Sequence, residues 1–293
     1  MSEQVVRAAM ARAQVDEWAL ALAAVGISTR IDWHPERGYV LLVDAGDTAR
    51  AAATLAAYEL ENRAEPPAHP PAPEHGTTYA AAVAALLLCA LFFVTGPRDG
   101  RHPAFAAGAA DAARIRAGEY WRAVTALVLH ADFPHVLGNA VALAIFGTAL
   151  CALVGPGPGL WLMVLAGAGG NLINAIVRGP PHSAIGASTA IFGGLGALAA
   201  LRVAQRYRSG TPSTWRAWAP LAAGIALLGM LGSSPHSDVL AHLFGFAVGA
   251  MLGTLAARWH LVALSLPAQS ALLAGLLAVV GACWLAAFWR IAG

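Results

Sequence analysis

The chain has 293 residues, 58% of them hydrophobic and only 12% charged, with a formal net charge of +2. A soluble globular chain carries about a quarter charged residues, so this composition excludes an ordinary water-soluble domain. Every basic side chain is an Arg, and the Arg residues form no basic helix or stripe, so nucleic acid is excluded as a partner.

The few charges are unevenly placed. Residues 1–76 hold eleven of the sixteen acidic groups and six of the eighteen Arg, while residues 77–293 hold five acidic groups and twelve Arg. An acidic, water-exposed module is therefore expected ahead of a basic, membrane-embedded body. Two Arg fall in the first twelve residues without a hydrophobic core after them, so no secretory signal peptide is expected there.

Within the first module, Val15 to Ala24 has a helical pattern with Trp18 and Leu22 four apart. Ser28 to Trp33 and Tyr39 to Val43 read as strands around a turn at His34-Pro35-Glu36-Arg37-Gly38, because Pro and Gly punctuate a run of β-branched and aromatic residues. Asp47 to Glu61 returns to helix. The expectation for residues 1–65 is a small α-β-β-α unit of the α+β class. Residues 66–77 follow as a Pro-rich linker in which His69 and His75 are solvated.

Beyond the linker, uncharged stretches recur at the length a helix needs to cross about 30 Å of hydrocarbon. They lie at 78–95, 134–153, 159–177, 187–204, 217–233, 239–257 and 268–288, an all-α polytopic membrane body of seven helices. Cys89, Cys151 and Cys283 fall within apolar stretches and lack metal-site or disulfide spacing, so they read as small hydrophobes. Arg202, Arg206, Arg208 and Arg216 cluster in one short loop and Arg258 lies in another on the same side of the seven-helix count. Short Arg-rich loops face the cytoplasm, which places the N-terminal module there too. The loop 96–133 is then external despite its five Arg, which Asp and Glu residues in and beside it offset.

Polar groups inside such spans are functional hypotheses by default. His135 and Asn139 are four apart in the second span and share one helical face. Their side-chain donors either hold an anionic oxygen or serve as polar glue between helices. Ser188 opens the fourth span after Gly186, where backbone N–H groups lack intrahelical partners. Alone it would be a packing residue. His242, in the sixth span, needs a partner, and an imidazole within reach of Ser188 would be a general base for that hydroxyl. Gly186, Gly193 and Gly196 follow the serine helix, and Gly245 and Gly249 the histidine helix, leaving small faces for close approach.

In Gly186-Ala187-Ser188, in Ala241-His242 with Gly245 and Gly249, and in His130, His135 and Asn139 at their spacing, the chain resembles the rhomboid family of intramembrane serine proteases. The likeness covers roughly residues 78–257. It implies Ser188 as nucleophile and His242 as base, with His135 and Asn139 forming an oxyanion hole. It also implies supporting roles for Trp121-Arg122 in the first external loop, for Phe192 packing on the base, and for His130. No metal or organic cofactor is implied. The expected architecture is a rhomboid-like six-helix core over 78–257, with 258–293 adding a seventh, C-terminal transmembrane helix. The expected setting is the bacterial inner (plasma) membrane, with the N-terminus cytoplasmic and the site opening to the external side. Expected partners are transmembrane protein substrates and membrane lipids.

Two departures from the family stand out. The residue after the nucleophile, commonly Gly, is Thr189, expected to narrow the space beside Ser188 and tune specificity. Phe192 replaces the more usual Tyr, which keeps the ring face and drops the phenol. Asp238, one turn before His242 on the same helix, is expected to cap that helix or face solvent. The competing readings are a non-proteolytic rhomboid-like protein that binds membrane clients, and a transporter or channel. The first predicts loss of Ser or His, and the second predicts internal repeats; neither feature is present in the sequence.

Overall fold

A computed structural model of the chain describes residues 3–62, 78–98, 102–209, 222, 226, 238–258 and 264–292. The expected linker at 66–77, and the expected span 217–233 apart from residues 222 and 226, lie outside the described residues. The chain divides into two compact units, Met1–Pro66 and Pro67–Gly293.

In the first unit the order is β1 (Glu3–Ala9), α1 (Arg12–Ala24), β2 (Thr29–His34), β3 (Gly38–Asp44) and α2 (Thr48–Glu61). The three strands form an antiparallel sheet in the order β1-β3-β2. The expected α-β-β-α unit is thus corrected to β-α-β-β-α. Strand β1 escaped notice because its only β-branched pair, Val5-Val6, is set among polar and Ala residues, and its partner β3 lies more than thirty residues away. The helices and central strand were foreseen from the correct cue. Val15, Trp18 and Leu22 recur on one face of α1 and pack with Ala51 and Leu55 of α2 against Leu41 and Val43 of β3. Polar links close the rim: Tyr58 Oη–H donates to Glu17 at 2.6 Å, and Arg7 pairs with Glu59 at 3.2 Å.

The second unit is largely helical and carries the membrane-spanning part. Helix α3 (Ala80–Thr95) is apolar throughout. A loop follows with three short helices, α4 (Pro103–Gly108), α5 (Ala112–Arg116) and α6 (Arg122–Thr125). Then come α7 (Phe133–Val154), α8 (Pro156–Arg178), α9 (Ser188–Ser209), α10 (Val239–Arg258) and α11 (Leu266–Ala292). Among the described residues, α7, α8, α10 and most of α11 are long and apolar enough to cross a membrane. Helix α7 starts where its sequence dictates: Asp132 Oδ1 accepts from the His135 N–H at 2.7 Å, and Pro134 fills a first-turn position that needs no donor.

Helices α8, α9 and α10 pack together, and α9 and α10 meet backbone to backbone. A Cβ placed on Gly249 would overlap the Gly193 backbone, and one on Gly245 would overlap the Thr189 carbonyl. Apolar side chains gain nothing from leaving lipid for protein, so in a membrane it is such close approach that makes dispersion attraction favour association. Helix α11 is tied to α8 by a different device. The Gln269 side chain, buried in α11, accepts from the Gly157 N–H at 2.8 Å, supplying an acceptor that the first turn of α8 lacks, and Trp161 Nε1–H donates to the Leu272 carbonyl at 2.8 Å.

The seam gives a direct test. Gly249→Leu forces α9 and α10 apart and should lower the unfolding temperature in detergent micelles, with a cost of about 1–3 kcal/mol or more expected for overpacking. Gly281→Leu on α11, where a Cβ meets open space, should leave the unfolding temperature unchanged.

Candidate active site

Ser188 is the first residue of α9, and the segment leading into it is fixed along its length. Strand β5 (Ser183–Ala184) pairs with β4 (Ala110–Asp111) of the preceding loop. The Ala112 N–H donates to the His182 carbonyl at 2.9 Å, and the Gly186 N–H donates to the Ala126 carbonyl at 2.9 Å. The Ala187 N–H points to His130 Nε2 at 3.4 Å. Burial, reinforced by the neighbouring His135, pushes the His130 imidazole down to about 3, so this ring is neutral and able to accept. Gly186 is required twice over: its φ of +119° suits only glycine, and a Cβ there would stand 2.8 Å from the His135 ring.

His242 reaches the serine from α10. Its Nε2 lies 2.8 Å from Ser188 Oγ, hydrogen-bond distance for a nucleophile and its base. Phe192, fully buried one turn after Ser188, stacks on the imidazole with ring centroids 4.5 Å apart and planes 21° apart. His242 Nδ1 is buried, and among the described residues it has no hydrogen-bond partner and no carboxylate bonded to it. With the Ser188 hydroxyl donating to Nε2, the proton of the neutral ring resides on Nδ1.

His135 borders the same space, its Nε2 over Gly186 and close to the serine. The Ala131 N–H faces its Nδ1 at 3.3 Å, which leaves Nε2 of the neutral ring as the proton-bearing nitrogen. Asn139 is buried in the next turn and donates one Nδ2 hydrogen to the His135 carbonyl at 3.0 Å. Ser188, His242, Phe192, His130 and His135 are thus brought together. Asn139 is placed beside them with one amide hydrogen already committed.

Trp121 and Arg122 lie in the loop, away from the Ser188–His242 pair. Arg122 is 1% exposed, and its guanidinium donates to Glu119 at 2.6 Å and to the Ala106 and Ala109 carbonyls at 3.0 Å. Thr125 donates to the Gly108 carbonyl at 2.7 Å, and Asn171 of α8 donates to the Ala123 carbonyl at 3.0 Å. A planar five-donor group satisfies several otherwise unpaired loop carbonyls at once.

Two residues make contacts that were not expected. The Thr189 methyl fills a notch between Gly170 of α8 and Gly245 of α10, and Thr189 is 4% exposed. Asp238 does cap α10, accepting from the Ala241 N–H at 3.2 Å, but does not simply face solvent: its second oxygen is taken by His182 and Asn174. Sequence reading passed over those two residues, which come from a turn and from near the end of a span. The available signal was Asn174 itself, one of two amides, with Asn171, in an apolar stretch of α8.

Comparison with known proteins bears on the family of the chain. Residues 117–259 match the model of the Rhomboid domain. The chain is 33% identical over 129 residues to "Rhomboid protease GluP" of Bacillus subtilis (strain 168), a match covering 44% of this chain and 25% of that protein. It is 31% identical over 140 residues to "Putative rhomboid protease YdcA" of the same organism, covering 47% of this chain and 68% of that protein. To "RHOMBOID-like protein 1" of Arabidopsis thaliana it is 34% identical over 142 residues, 46% of this chain and 34% of that protein. The matched stretch thus spans only a quarter of the first of these relatives and about two thirds of the second. It includes the loop with Arg122, the helix with Ser188 and the helix with His242, and the chain belongs to the rhomboid family.

Proposed function

We propose that the protein is an intramembrane serine endopeptidase that hydrolyses peptide bonds in or near the transmembrane segments of other membrane proteins. The observation that carries this reading is the 2.8 Å approach of His242 Nε2 to Ser188 Oγ, made between two helices brought close by glycines, one of them long and apolar enough to cross a membrane.

Ser188 Oγ attacks the scissile carbonyl while His242 Nε2 takes its proton, giving a tetrahedral oxyanion and an imidazolium. The oxyanion is met by the His135 Nε2–H, by the second Nδ2 hydrogen of Asn139 and by the Ser188 backbone N–H at the open start of α9. Collapse expels the amine, which receives the proton from His242 and leaves Ser188 acylated. A water, deprotonated by the same imidazole, then releases the carboxylate and restores the hydroxyl. Phe192 holds the ring face-on through both steps. Water must reach the acyl-enzyme, so the site opens to the external side of the membrane. Trp121-Arg122 shape the loop and take no part in bond making. The architecture that goes with this reading is a six-helix core plus the C-terminal helix α11, in a bacterial inner membrane with the N-terminal unit cytoplasmic. Substrates are spans whose helices are loosened by Gly, Ala or polar residues near the external end.

A single-span reporter with a Gly-Ala-rich stretch in its transmembrane segment tests the reading. Ser188→Ala and His242→Ala should each lower its cleavage by about 10³-fold or more, as expected for residues that act as one unit. Cleavage at the wild-type rate by either variant would rule the dyad out, and a wild type that binds the reporter without cutting it would favour client binding instead. The position of Thr189 leads to a separate expectation. Thr189→Gly empties the notch between Gly170 and Gly245 and should lower stability by about 1 kcal/mol, the cost of a helical Gly, while leaving the cleavage site in the reporter unchanged. Mass spectrometry of the products and thermal unfolding in micelles read the two effects apart.

A further inference from the structure

Asp238 stands at the start of α10, and three of its oxygens are engaged. Its carbonyl accepts from the backbone N–H of His242 at 3.1 Å. Its Oδ1 accepts from the Ala241 N–H at 3.2 Å. Its Oδ2 accepts from Asn174 Nδ2 of α8 and from His182 Nε2 at 2.7 Å. Asn174 Nδ2 and His182 Nε2 lie 3.1 Å apart and converge on that one oxygen. An ionised carboxylate only accepts, so His182 carries its proton on Nε2. Asn174 is 1% exposed, and the side chains of His182 and Asp238 are 20% and 15% exposed.

Capping α10 needs one carboxylate oxygen and one helix N–H. A second oxygen drawing donors from two other segments serves something else. His182 belongs to the segment that delivers Ser188, six residues on, and its own carbonyl is bound by the loop through Ala112. The knot therefore joins the α10 turn that ends in His242, the leader of the serine helix, and the end of α8. The glycine seam brings α9 and α10 close, but packing of small residues sets their separation better than their sliding along each other. A charge-assisted, directional junction at the end nearest the dyad fixes that sliding.

We infer that Asp238, held by His182 and Asn174, is a positioning residue for His242: it locks the first turn of α10 to the segment carrying Ser188 and so sets the Ser188–His242 distance. This rests on the serine-hydrolase reading above. Asp238 does not take a proton in the reaction, since it makes no hydrogen bond to His242 Nδ1, which has no partner among the described residues.

The test uses the full chain in detergent micelles, labelled at Ser188 by a fluorophosphonate and assayed on the Gly-Ala-rich single-span reporter. Asp238→Asn keeps a capping oxygen but turns an amide N–H toward the His182 and Asn174 donors. His182→Phe keeps the cap and a ring and loses the junction, while His182→Gln restores a donor. Asp238→Asn and His182→Phe should each lower kcat and the labelling rate by about tenfold or more with KM unchanged, since a misplacement of about 1 Å is costly to catalysis. The double variant should lose no more than the worse single one, as expected for one shared interaction. His182→Gln should recover most of the rate. Unfolding temperatures identify any variant that fails to fold, and His182→Phe, which leaves the cap intact, decides the matter if Asp238→Asn does. Wild-type rates in both variants, additive losses, or losses confined to KM overturn the positioning role and leave the dyad standing. Absence of fluorophosphonate labelling in the wild type overturns the hydrolase reading itself and the positioning role with it.

Discussion

The backbone contact between α9 and α10 is the constraint on which the site depends. A serine side chain is short, and an imidazole can reach it from a neighbouring helix only when the two helix axes lie closer than ordinary side chains permit. Gly193 against Gly249 and Thr189 against Gly245 provide that approach, directly below the dyad. The same contact explains why the polar pair can be built within a span. Each member satisfies the other across the seam, so neither the hydroxyl nor Nε2 is left facing hydrocarbon.

Around this seam, irregular backbone is held by polar side chains. The loop before α7 buries mostly small apolar residues, Ala110, Ala112, Ile115 and Ala126 among them, and its irregular backbone leaves carbonyls to be satisfied: Arg122 and Thr125 take them while Asn171 joins the loop to α8. The leader to Ser188 is fixed in turn to that loop, by the β4–β5 pair and by Gly186 bonding to Ala126. Buried polar groups are costly unless paired, and paired they are directional. An apolar loop would be held by less specific forces. The loop thus acts as a template for the segment that carries Ser188, which gives Arg122 a physical reason to be fully buried.

How far the sequence could be read follows from the range of each interaction. Ser188, His242 and their glycines were legible because their cost in a membrane is local: a polar residue in an uncharged run announces itself. His135 and Asn139 were legible as a face by helical spacing, but only the positions of Gly186 and Ala131 reveal which nitrogen of His135 faces the serine. Four of the expected spans, 134–153, 159–177, 239–257 and 268–288, were legible from length, with ends within a few residues of the observed helices. Strand β1 was not, since β pairing with a distant strand leaves little trace in seven residues. Nor was the Asp238 junction, whose members lie in three segments and whose pairing exists only once α8 and α10 have packed. The contact of Thr189 was hidden for a related reason. Its distance from Ser188 in sequence is one residue, but successive residues on a helix point about 100° apart, and its methyl enters the glycine notch of α8 and α10.

The proposed reaction raises the question of what would stabilise the His242 imidazolium after proton transfer. His242 Nδ1 has no acceptor among the described residues, so the usual hydrogen-bonded anion does not supply it. Phe192 does lie parallel to the ring at 4.5 Å, and a cation over an aromatic face gains about 0.5–2 kcal/mol, more where water is excluded. Only the face is needed for that attraction, which accounts for a Phe serving at this position without a phenol. The quadrupole acts on charge and leaves the neutral ring nearly untouched, so its contribution appears mainly as the proton moves. The ring is also fixed in angle by stacking, which limits the lateral freedom left to a histidine that lacks a hydrogen bond at its back.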